Sequence, residues 1–74
     1  MNGQGVAKDA KKAFDYFLRA AELDYGLAQY FVGVCYENGN GVNQNIFGAK
    51  RWYKKAANNG DKEAEKALER LGVN

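Results

Sequence analysis

The chain has no histidine and no proline, and its 74 residues include no serine and no threonine. Each gap closes off a class of chemistry. Without histidine, no unperturbed side chain exchanges a proton near neutral pH, and without Ser or Thr the usual hydroxyl nucleophiles are missing. The single cysteine, Cys35, can form no internal disulfide and assemble no Cys/His metal set, so no metal and no cofactor is expected. Small extracellular domains usually need disulfide staples, so a lone thiol makes a reducing, cytoplasmic compartment the expectation. Met1-Asn2-Gly3-Gln4-Gly5 is not followed by the apolar run of a secretory leader, and no window reaches the length of a membrane span. The absence of proline lets helices run without interruption.

Charge of one sign is scarce as well. The net charge of +2 is too small to imply nucleic acid, and it is unevenly spread. Residues 1–37 carry 4 basic and 5 acidic side chains, whereas residues 38–74 carry 7 and 4.

What the chain does contain is a repeat, which decides the architecture before any local reading. Displaced by 36 residues, Asn2-Gly3-Gln4-Gly5-Val6 falls on Asn38-Gly39-Asn40-Gly41-Val42. The same offset pairs Ala13 with Ala49, Tyr16 with Trp52, Phe17 with Tyr53, Ala20-Ala21 with Ala56-Ala57 and Ala28 with Ala64. Each copy reads as a glycine-rich turn followed by two helices. The Gly-x-Gly-Val segment supplies residues able to take positive φ where the chain reverses, and Asp9 and Asn45 are placed to cap the next helix. That helix carries Ala13, Tyr16, Phe17, Ala20 and Ala21 in one copy and Ala49, Trp52, Tyr53, Ala56 and Ala57 in the other. This i, i+3, i+4, i+7, i+8 stripe predicts the core face.

The second helix type runs from about Leu27 to Glu37, with Ala28, Phe31, Val32, Cys35 and Tyr36 inward. Gly33 inside it costs roughly 1 kcal/mol of helix propensity relative to Ala, which predicts a neighbour crossing too closely for a Cβ. Its counterpart, Asp61 to Leu71, has Glu69 in place of Gly33 and a charged outer face, as expected of a helix that ends an array. Gly72 supplies its stop. The expected fold is all-α, a short right-handed stack of about four antiparallel helices in a single domain, 1–74. A partial unit (1–26) precedes a full unit (27–60) and a capping helix (61–74).

The residues Ala28, Val32, Gly33, Tyr36, Gly39, Gly41, Val42, Asn45, Gly48, Ala49, Trp52, Ala56, Ala57 and Gly60 closely resemble the Sel-one-like repeat (SLR), a branch of the tetratricopeptide superfamily. The resemblance covers one complete unit, Ala28 to Gly60, with a half unit upstream at Gly3, Gly5, Val6, Asp9, Lys12, Ala13, Tyr16, Ala20 and Ala21. Asn45 stands where the family usually has Asp, and Gly48 where it usually has Lys. The helix that normally precedes Gly3 is missing, which leaves open a piece of a longer array or a stand-alone minimal form. The resemblance implies a TPR-like helical solenoid and a role in protein–protein interaction and scaffolding, without naming a partner.

Catalysis finds no support in the residue set. Cys35 lies on an inward face with no base to activate it, and the carboxylates fall mostly at caps and outer helix faces. The Gly3-x-Gly5 and Gly39-x-Gly41 pairs follow no strand and lack the Lys-Ser/Thr of a phosphate loop. Lys50, Arg51, Lys54 and Lys55 surround Trp52 and Tyr53, a basic face suited first to solvent, then to an acidic protein and last to nucleic acid. The two copies disagree at Phe14 and Leu18, which become Lys50 and Lys54 across the offset. Two apolar side chains one turn apart, off the core stripe, need a cover: the N-terminal segment folding back, a second copy of the chain as a homodimer, or a target protein. Tyr25, Tyr30, Val34 and Phe47 are further apolar positions off the stripe. The expected partner-binding set is therefore Phe14, Leu18, Tyr25, Tyr30, Val34 and Phe47, with Lys50, Arg51 and Lys54 as a rim that steers an acidic partner. The function that fits is a non-catalytic protein–protein interaction module: an adaptor, scaffold or steric inhibitor. The alternatives are a structural segment of a larger solenoid and, last, an enzyme.

Overall fold

The computed structural model describes residues 3–72, with side chains from Asp9 onward. Four helices follow one another: α1 (Gly3–Glu22), α2 (Gly26–Asn38), α3 (Ile46–Asn58) and α4 (Lys62–Arg70). No strand occurs among the described residues. α2 packs most extensively on α3, with α1 against α2 and α4 against α3. Short connections between contacting helices leave each one antiparallel to its chain neighbour.

With no Ser or Thr to cap them, the starts of α3 and α4 fall to Asn and Asp. The Asn45 side chain accepts the Gly48 N–H at 3.0 Å, and Asp61 accepts the Ala64 N–H at 2.9 Å. α2 ends at Gly39, whose φ of +73° turns the chain so that the Asn40 N–H, like that of Gly39, donates to the Cys35 carbonyl, at 2.9 Å. Gly41, also at positive φ, brings the 39–45 loop down onto α1, so close that a Cβ there would fall on the Ala10 carbonyl.

The first Gly-x-Gly-Val segment departs from the second. Gly3 to Val6 are helical, the opening turns of α1, and Asp9 lies inside that helix instead of capping it. The later segment turns because its amides close the end of α2 and because Gly41 rests on α1. Around Gly3 no such helix end is present among the described residues, so similar residues continue a helix.

The core forms two clusters that share α2. Phe14 and Ala21 meet Ala28, Val32 and Cys35 in one, while Ala49, Tyr53 and Ala56 meet Ala64 and Ala67 in the other, flanked by Tyr30 and Val34 of α2. The close approach expected at Gly33 is present, and a ring makes it: a Cβ on Gly33 would lie 2.6 Å from the Tyr53 ring.

The core face of α1 is rotated from its expected position. Phe14 is buried, at 7% exposure, with Leu18 half-buried beside the same cluster, whereas Ala13 is exposed and Tyr16 is 78% exposed. The cover is none of the three envisaged. It is Tyr36 of α2, whose ring meets Phe14 edge-on at 5.5 Å, together with Val42 of the following loop. At the 36-residue offset Tyr36 becomes Gly72, so α4 offers no ring to the place where Phe14 is replaced by Lys50.

Gly33→Ala is expected to destabilise the fold despite adding a better helix former. The gain of about 1 kcal/mol in propensity is opposed by overpacking against an enclosed ring, at about 1–3 kcal/mol. A lowered urea midpoint, corresponding to a net loss of up to about 2 kcal/mol, is the outcome to measure, and a raised midpoint would contradict the close contact.

Candidate protein-docking groove

α1 ends in a turn where Asp24 takes a left-handed φ of 74°, which swings Tyr25 and Leu27 out beside the exposed side of α1. Tyr16, Phe17 and Ala20 of α1, with Tyr25, Leu27, Ala28 and Phe31, line an open apolar groove of about 360 Å³. Its floor is the stacked pair Phe17–Phe31, with ring centroids 5.0 Å apart and planes inclined by 25°. Its rim is the exposed Tyr16, Tyr25 and Leu27, with Leu23 nearby in sequence and also exposed. Isolated exposed apolar residues are ordinary on a protein surface, whereas these line one continuous groove.

Two polar networks fix the ends of α2 and hence the groove. At its start, the Asn59 side-chain amide donates to Gln29 Oε1 at 2.8 Å and to Asp24 Oδ1 at 3.1 Å. Buried Gln29 donates in turn to Asp24 Oδ1 and to the Ala21 carbonyl. These bonds favour the ionised carboxylate, so hydrogen bonding from Asn59 and then Gln29 lowers the Asp24 pKa. At the other end of α2, Glu37 accepts the Tyr53 hydroxyl at 2.7 Å and both terminal nitrogens of Arg70, at 2.5 and 3.0 Å. Hydrogen bonding to Arg70 outweighs partial burial and lowers the Glu37 pKa. Burial first, and the bond to Glu37 second, raise that of Tyr53.

The candidate binding residues separate on the surface. Phe14 is in the core and Leu18 is half-buried against it, outside the groove lining. Tyr30 and Val34 are half-buried against the α3–α4 cluster, with Tyr30 at 5.7 Å from the Tyr53 ring centroid. Tyr25 lies in the groove, whereas Phe47 is 79% exposed at the start of α3 and does not line it. On α3, Lys50 is half-buried and Arg51 and Lys54 are exposed. Arg51 and Lys55 line a separate cleft with Tyr36 and Trp52, and Lys55 Nζ stands 5.6 Å from the Trp52 ring. Sequence reasoning missed Tyr16, Phe17, Leu27 and Phe31 as groove residues because it placed Tyr16, Phe17 and Phe31 on core faces by repeat register. The readable signal was Leu27, whose counterpart across the offset is Glu63.

Cys35 is buried and its thiol pKa is raised by desolvation, which keeps it protonated and weakly nucleophilic. Among the described residues no three His, Cys, Asp or Glu side chains are grouped to hold a metal ion, and no helix is long and apolar enough to cross a membrane.

Comparison with known proteins accords with this architecture. A family profile for the Sel1 repeat matches residues 1–25 and 26–61. The chain is similar to the chitin synthase regulator SKT5 of Saccharomyces cerevisiae, at 46% identity over 57 residues, which cover 77% of this chain and 8% of that protein. It is also similar to DAP3-binding cell death enhancer 1 of Rattus norvegicus, at 36% identity over 63 residues, covering 85% of this chain and 12% of that protein. The chain thus spans about a tenth of the length of these curated relatives. No solved structure matches it significantly.

The lowered carboxylate pKa values give stability a definite pH dependence. A group whose folded pKa lies below its unfolded value stabilises the fold above the unfolded value, here about 4.5 for Glu37 and 3.8 for Asp24. That contribution is lost as pH falls through the lower folded value. Thermal unfolding measured from about pH 7 to about pH 3 should show a falling acid limb. Glu37→Gln should make that limb shallower by removing the Glu37 share, and a limb of unchanged steepness would rule the network out as its source.

Proposed function

Because the chain belongs to the Sel1 repeat family, we propose that it is a non-catalytic protein-interaction module whose partner docks in the α1–α2 groove. Sel1 repeats typically mediate protein–protein interaction. The observation that carries the reading is the groove itself, where Tyr16, Tyr25 and Leu27 stand exposed around a stacked aromatic floor. Aromatic side chains at the centre of an interface supply large contact area at small entropic cost, and they dominate binding energy where they occur. The module acts by holding its partner, as an adaptor or scaffold, or by covering a surface of it. Exposed Arg51 and Lys54 on α3, with Lys50 between them and the core, favour an acidic partner through long-range steering. A reducing, cytoplasmic setting suits the unpaired, buried Cys35.

A second reading is a segment of a longer solenoid, favoured by the small share of each relative that the chain spans. In that case the groove receives a neighbouring part of the same protein.

The double variant Tyr16→Lys, Leu27→Lys changes exposed side chains and should leave the fold intact. Partner retention, measured by cross-linking and quantitative capture from the source cells, should fall by about tenfold or more, the equivalent of about 1.4 kcal/mol. Arg51→Glu with Lys54→Glu should instead slow association, mostly at low salt. Undiminished capture by the groove variant would place docking elsewhere.

A further inference from the structure

The cleft between the end of α2 and α3 has a chemistry opposite to that of the groove. Tyr36 of α2 lines it, with Asn45 and Gly48, Arg51, Trp52 and Lys55 of α3, around a space of about 270 Å³. Arg51 and Lys55 are exposed, and among the described residues neither pairs with a carboxylate. Asp24 feels the Lys55 charge without pairing with it, and its carboxylate is already held by Asn59 and Gln29. Asn45 commits its side-chain oxygen to the Gly48 N–H, which leaves its amide nitrogen as a donor. Gly48 keeps the space open, since a Cβ there would already rest 3.4 Å from the Tyr36 ring.

The internal repeat shows that this chemistry belongs to the second copy alone. Across the 36-residue offset, Asn45, Gly48, Arg51, Trp52 and Lys55 stand where the first copy has Asp9, Lys12, Asp15, Tyr16 and Arg19. The first set balances two acidic side chains against two basic ones, whereas the second has two basic and no acidic. Both exchanges that remove an acid, at Asn45 and Arg51, fall on the lining of the cleft. A concave surface lined by one sign of charge concentrates its field on a ligand of the other sign.

The Trp52 ring narrows the choice of anion. It packs against the first core cluster, and the Lys55 ammonium stands 5.6 Å from its centroid, within cation–π range. The ring is therefore a support for the ammonium and not a platform for a stacked base. It also fixes Lys55 apart from Arg51. Four residues of helix set the two positions about 6 Å apart along α3. Side chains on one edge of an extended strand recur every about 6.7 Å, which nearly matches that spacing.

We propose that the cleft binds an extended acidic segment of a partner protein, with carboxylates at alternate residues, one on Arg51 and the other on Lys55. The Asn45 amide nitrogen is available to the backbone of that segment. The site is distinct from the groove, with which it shares no lining residue, and does not depend on it. It gives an acidic partner a defined seat, where the neighbouring exposed Lys54 gives only long-range attraction.

Trp52 is the single tryptophan of the chain, so its fluorescence reports on the cleft. The full chain is titrated at about 0.15 M salt with two blocked peptides of equal charge, Gly-Glu-Gly-Glu-Gly and Gly-Glu-Glu-Gly-Gly, and with inorganic phosphate. The alternating peptide should give a saturable change and bind about threefold or more tightly than its isomer. Arg51→Gln and Lys55→Gln should each weaken it by about threefold or more, with unchanged far-ultraviolet circular dichroism. Lys54→Gln, beside them but outside the cleft lining, should leave it unchanged. An equal loss with Lys54→Gln means a diffuse field in place of a site and overturns the proposal. Equal affinity of the two peptides, or absence of saturation, also overturns it. Tighter binding of phosphate than of the alternating peptide makes the cleft a phosphoryl site and overturns the choice of ligand. The capture experiment with Tyr16→Lys, Leu27→Lys changes none of these residues, so the groove reading stands or falls separately.

Discussion

Tyr53 is enclosed by α2 and α4, its ring against Gly33 and its hydroxyl on Glu37, which in turn holds Arg70. One side chain on α3 therefore sets the spacing of α2, the rotation of α2 about its axis and the position of the end of α4. A smaller residue would leave a cavity beneath Gly33, and a larger one at position 33 would drive the helices apart. The ion pair is a weaker constraint, since the Arg70 side chain is more than half exposed and its attraction is screened. The bond from an enclosed tyrosine to a mostly covered carboxylate has no such outlet, which makes Glu37 the polar group that the internal interface depends on.

The groove lies on the corresponding face of the first copy. α3 is flanked by a helix on each side and buries a wide arc of its surface. α1 has α2 on one side and the 39–45 loop across it, and the arc that α3 hides is open on α1. The apolar groove lies on the part of α1 that corresponds to the covered face of α3. At its other end the stack presents α4, where Glu63, Glu65, Glu69 and Arg70 face water. One end of the molecule exposes apolar side chains and the other charged ones.

Much of the fold was legible along the chain. The 36-residue register located four helices, Asn45 and Asp61 were readable as starts, and Gly33 was readable as a close approach because glycine inside a helix is otherwise a cost. The binding face was less legible. Register alone put Tyr16 on the core face, since its counterpart Trp52 sits on the same stripe, and put Phe14 off it, since its counterpart is Lys50. Both inferences assumed that equivalent positions have equivalent neighbours. They do not, because Tyr36 covers Phe14 while Gly72 stands at the matching place after α4, and among the described residues Tyr16 is left exposed.

Helix number, the starts of α3 and α4 and the small-residue contact were determined by the sequence, since each follows from local spacing, capping chemistry and the conformational cost of glycine. The identity of the core face of α1, and with it the position of the docking groove, was decided only by tertiary structure. A stripe of apolar residues records that a helix has something to bury. Which part of a stripe wide enough for two neighbours is covered depends on how many neighbours are there, and periodicity carries no count of them.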